Sequence, residues 1–101
     1  MTDVHPSLEL LLTGYFNQDW DLDASSPREV VVQFAKGEPP TAVKAAIAAL
    51  DSILGRRDSE VAAEQVLREV HTGYYPQGRG LTARAWFQEL RAQLEEAQRS
   101  T

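Results

Sequence analysis

The chain has 101 residues, 43% of them hydrophobic and 25% charged, with no cysteine and a formal net charge of −5. That length supports one hydrophobic core in a single domain, 1–101, and the composition is that of a globular domain rather than a disordered tail. It excludes disulfides, thiolate metal sites and a Cys nucleophile, contains no apolar run near the roughly 20 residues of a membrane helix, and carries a field that repels nucleic acid and anionic membranes.

In chain order, Met1 to Pro6 holds an acid and a histidine where a signal peptide has Lys or Arg before an apolar stretch. The protein is therefore expected to remain in the cytoplasm. Ser7 is placed to cap a first helix, 7–15, bearing Leu8, Leu11, Leu12 and Tyr15, with Gly14 near its end. A polar-aromatic loop from Asn17 to Ser25 follows. Ser26-Pro27-Arg28-Glu29 has the form of a capping box with proline at the first helical position, opening a helix over 27–36. Val30, Val31 and Phe34 are its apolar face, and Gly37 is its expected left-handed terminator.

Pro39-Pro40-Thr41 breaks the chain, with Thr41 capping a third helix, 41–54. There Val43, Ala46, Ile47, Leu50, Ile53 and Leu54 recur at spacings of three and four, and Gly55 stops it. Asp58 is placed to cap a fourth helix, 59–71, whose stripe is Ala63, Val66, Leu67 and Val70. Gly73 ends it. A loop from Tyr74 to Gly80 contains Pro76, Gly78 and Gly80. Thr82 opens the longest helix, 82–98, with Trp86, Leu90 and Leu94 on one stripe and Ala83 and Phe87 beside it. The spacing predicts an all-α fold: a compact single-domain bundle of about five helices.

The charge is unevenly placed. Residues 1–40 hold seven acids (Asp3, Glu9, Asp19, Asp21, Asp23, Glu29, Glu38) against Arg28 and Lys36, a balance of −5. Residues 41–101 hold eight acids and eight bases and are neutral. The acidic part favours a basic partner.

Site chemistry is sparse. Asp19-Trp20-Asp21-Leu22-Asp23 starts like a calcium loop, but the sixth and twelfth positions, which need Gly and Glu, are Ala24 and Val30. The bland reading is a solvated acidic loop, and the sharper one an acidic binding surface. His5 and His71 lack a partner at metal-ligand spacing; His71, in the last helical turn, suits the negative end of the dipole. No serine sits in a nucleophile elbow, and Gly78-Arg79-Gly80 is too short for a phosphate cradle. Neither a catalytic group nor a cofactor is expected. Trp86 reads as core. Trp20 reads as a plug at the bundle end with its flanking acids in water, or alternatively as a partly exposed contact. Tyr74 and Tyr75 are either lids or interface anchors.

The stretch Leu11-Leu12-Thr13-Gly14-Tyr15-Phe16-Asn17-Gln18-Asp19-Trp20-Asp21, followed by Ser26-Pro27, Pro39-Pro40, Tyr74-Tyr75-Pro76 and Trp86, resembles the CdiI-like immunity proteins of contact-dependent growth inhibition systems. The likeness covers about residues 7 to 94, with Gln18-Asp19-Trp20 its most specific part. It implies a bacterial, non-enzymatic protein that neutralises the C-terminal toxin domain of a surface-delivered effector, commonly a basic nuclease. Nucleic acid, membrane and small molecules are not expected partners. Under that resemblance, toxin contacts are expected at Asp19, Asp21, Asp23, Glu29, Tyr74 and Tyr75, with Gln18, Trp20 and Trp86 holding the fold. Asp19 also belongs to the shared Gln18-Asp19-Trp20 motif, for which the alternative expectation is a role in the fold, since residues shared by a family that meets variable toxins are poor carriers of specificity. The competing reading is a generic helical interaction or adaptor domain.

Overall fold

The computed structural model describes residues 5–17, 19–70, 72 and 76–99, and the regular elements among them are all helical. Helix α1 (Pro6–Glu9) passes directly into a π-helical segment, Leu10–Tyr15. A short helix α2 (Trp20–Asp23) follows, then α3 (Pro27–Gly37), α4 (Pro40–Leu54), α5 (Ser59–Glu69), a 3₁₀ turn (Pro76–Arg79) and α6 (Ala83–Arg99). The all-α bundle anticipated from the spacing is the architecture found.

Helix α6 is the spine. It packs against α3, α4 and α5, while α1 lies on α4 and the π segment on α3. Contact with three helices explains its wide apolar face, on which Ala83, Trp86, Phe87, Leu90 and Leu94 are all buried. These meet Val30, Val31 and Phe34 of α3, Val43, Ala46 and Leu50 of α4, and Leu8, Leu11, Leu12 and Phe16 in one core. The Cα radius of gyration is 12.4 Å, close to the ~13 Å of a compact chain of this length.

The first helix departs from ordinary winding for a packing reason. The Phe16 N–H donates to the carbonyl of Leu11 at 2.9 Å, five residues back. In an α-helix, residues five apart point about 140° away from each other. The wider turn brings Leu11 and Phe16 into the core together, and both are fully buried.

Several ends differ from expectation. Helix α1 is capped by His5, whose Nδ1 accepts from the Ser7 N–H at 3.1 Å, so Ser7 is not the cap. Pro6 takes the first helical position, where its missing N–H costs nothing. In α3, Ser26 Oγ accepts from the Glu29 N–H at 3.2 Å, but Glu29 reaches back to the Ser25 N–H at 3.3 Å and the Ser25 hydroxyl, one residue beyond a standard box.

Gly37 is the last residue of α3 and not a left-handed terminator; Gly80, at φ 76°, is the described glycine with positive φ. Gly37 serves close approach instead, since a Cβ there would lie 2.8 Å from the Tyr15 hydroxyl. Pro39 rather than Thr41 occupies the cap position of α4. Asp58 precedes α5 but commits its carboxylate to Arg56, at 2.9 and 3.2 Å, and makes no side-chain cap. Helix α5 ends at Glu69, short of the expected 71, because Val70 turns extended and buries its side chain. His71 and Gly73 lie outside the described residues.

Candidate functional site

The segment read as a loop, 17–25, contains a wound turn. The Asp19 N–H donates to Asn17 Oδ1 at 2.9 Å, Asn17 Nδ2 donates to the Gly14 carbonyl at 3.0 Å, and the N–H of Ala24 donates to the Trp20 carbonyl at 3.1 Å. This ladder ties α2 to the end of the π segment. Four residues are too few for periodicity to register, which is why the sequence pattern passed over it.

Trp20 is half-buried and packs on the core. Its ring meets Phe16 edge-on at 6.0 Å, and Phe16 meets Trp86 at 5.4 Å and 80°. Trp86, 1% exposed, also contacts Phe87. Trp20 is thus partly buried against the core, which is compatible with both readings of it, and Trp86 lies within the core. Anchoring Trp20 inward turns its neighbours out: Asp19, Asp21 and Leu22 are exposed, with Leu22 at 80%. Sequence reasoning did not single out Leu22, whose exposure follows from its place two residues from a tryptophan packed on the core.

The electrostatics extend the asymmetry seen in the sequence. Arg56–Asp58, Arg68–Glu64, Arg91–Asp51, Arg91–Glu95, Arg99–Glu95 and Arg28–Glu96 are the ion pairs among the described residues. Each draws its acid from residues 41–101. Arg28, one of two bases in the first 40 residues, is thus neutralised by an acid from the far end of the chain. Among the described residues, Glu9, Asp19, Asp21, Glu29 and Glu38 enter no ion pair.

Two of these acids are held locally. Glu38 accepts from the Tyr15 hydroxyl at 2.8 Å. Glu29 is engaged by Ser25, whose hydrogen bonds keep its carboxyl below the ordinary range. Glu9, Asp19 and Asp21 are left as exposed carboxylates, the last two on the turn at α2. Gln18, Tyr74, Tyr75 and the Asp23 side chain lie outside the described residues.

Elsewhere the surface offers a shallow trough of about 140 Å³ between α3 and α6, floored by Val32, Ala35 and Ala97 and crossed by the Arg28–Glu96 pair. No group of three or more His, Asp or Glu among the described residues is placed to hold a metal ion. No helix among them is long and apolar enough to cross a membrane.

Fold and surface together define a small helical protein with one core and an excess of acids in its first 40 residues. The chain belongs to the CdiI immunity protein family, whose model matches residues 5–94. No curated protein and no solved structure matches it.

Proposed function

We propose that this protein binds the C-terminal toxin domain of a contact-dependent growth inhibition effector in the cytoplasm and neutralises it by occupying its surface, with no chemistry of its own. Family membership over residues 5–94 carries the reading. The uncompensated carboxylates of Asp19 and Asp21 support a basic partner, such as a nuclease domain whose cationic groove they cover in place of phosphates. Asp23, Tyr74 and Tyr75 are proposed as further toxin contacts, and Glu29 as an additional charge from within the α3 cap. The same field argues for a protein partner over nucleic acid, membrane or a small molecule.

Titration with the toxin domain encoded beside it tests this. An equimolar amount should abolish toxin activity, with nanomolar or tighter affinity, about −12 kcal/mol or more. Association should slow as salt is added, because screening shortens the reach of the acidic field. A toxin domain left unbound and fully active sinks the proposal.

A further inference from the structure

Exposed leucines are ordinary when scattered singly, so Leu22 needs more than its exposure to matter. Three observations set it apart. It is 80% exposed, the most exposed of the large hydrophobic side chains among the described residues, ahead of Val61 at 51% and Leu10 at 39%. It sits on a turn closed by backbone hydrogen bonds and by the Asn17 side chain, so its position is set before any partner arrives. Its outward direction is also imposed: Trp20 is packed on the core, and residues two apart on a helix point about 200° apart. A polar side chain would occupy that place at no cost to the fold.

Building on the toxin-binding reading above, we infer that Leu22 is the apolar anchor of the interface, inserted into a hydrophobic socket on the toxin domain whose rim carries Lys or Arg. The charge argument selects the occupant. Asp21 adjoins Leu22, and Asp19 lies three residues before it with its carbonyl accepting from the Leu22 N–H at 3.0 Å; both acids are exposed and lack ion-pair partners among the described residues. A socket ringed by bases meets the leucine and both carboxylates in one docking event. The division of labour follows from the physics: rim charges govern the rate of encounter, whereas a desolvated central side chain governs how long the complex lasts.

Stopped-flow or surface-based kinetics with the isolated toxin domain separates the two roles. Leu22→Ala should raise the dissociation rate by about tenfold or more and leave association within about twofold. Asp19→Asn with Asp21→Asn should slow association and flatten its salt dependence, with little change in dissociation. Both variants alter exposed positions and should melt like the wild type. Tight wild-type binding with an unchanged Leu22→Ala dissociation rate overturns the anchor alone. Failure of the wild-type protein to bind overturns the toxin-binding reading and this inference with it.

Discussion

Tyr15, Glu38 and Gly37 form a latch between the end of the π segment and the end of α3. The hydroxyl bonds Glu38 at 2.8 Å, and the ring meets Phe34 edge-on at 5.2 Å. Burial first, then the hydrogen bond to Glu38 and its charge, raise the phenol above the ordinary 10.0. A raised folded value means that the latch is fully stabilising below the unfolded value and is lost as pH climbs through the folded one. Ultraviolet titration of the folded protein should show one tyrosine ionising above its ordinary range, and Glu38→Gln should bring it part of the way back. Tyr15→Phe should cost about 1 kcal/mol in urea denaturation. Gly37→Ala should cost a similar amount, roughly 1 kcal/mol, because its methyl would displace the hydroxyl from Glu38. With Tyr15→Phe already in place, the same alanine should be neutral or mildly stabilising, since the clash is gone and alanine is the better helix former. Additive losses in the double variant would rule out the latch.

At the scale of single elements, α3 depends on its first turn. Ser26 accepts the Glu29 N–H while Glu29 answers to Ser25. Loss of the Ser26 hydroxyl should cost about 1 kcal/mol. The Ser25 hydroxyl, then the Ser25 backbone N–H, lower the Glu29 carboxyl from its ordinary 4.5. That stabilisation is present above the unfolded value and disappears as pH falls through the lower folded one. Amide protection factors in the first turn of α3, referenced to the intrinsic exchange rate at each pH, should therefore fall on acidification in the wild type, with the step absent in Glu29→Gln. Helix α6 is the contrasting element, since its strength lies in buried contacts. Trp86→Ala should cost about 3–5 kcal/mol, a large share of what a domain this size has to spare.

For the whole molecule, salt should act differently on stability and on recognition. The ion pairs sit on exposed or half-exposed side chains, such as Arg28–Glu96 at 59% and 58%. Exposed pairs contribute about 0–1 kcal/mol each. Raising salt should leave the denaturation midpoint nearly unchanged while slowing association with a basic partner several-fold, read in the same buffers. A melting point that drops steeply with salt would show the surface pairs to be holding the bundle together. The acids that are paired come from residues 41–101, while Asp19 and Asp21 stay exposed and outside those pairs.

Local order along the chain was sufficient for the longer helices and their buried faces, though not for the four-residue α2: Val30, Val31 and Phe34 on α3, and Trp86, Leu90 and Leu94 on α6, follow from spacing alone. The excess of acids before residue 40 was equally legible, because charge needs only counting. Only the tertiary structure decided that Leu11 and Phe16 share a face through a π turn, that Gly37 makes room for a hydroxyl 22 positions away, and that Arg28 is neutralised by Glu96. The outward set of Leu22 belongs to the same group, since it depends on Trp20 finding Phe16. Periodicity reports which side of a helix is apolar; it holds no information about which distant side chain will lie against it, and these features are all contacts of that second kind.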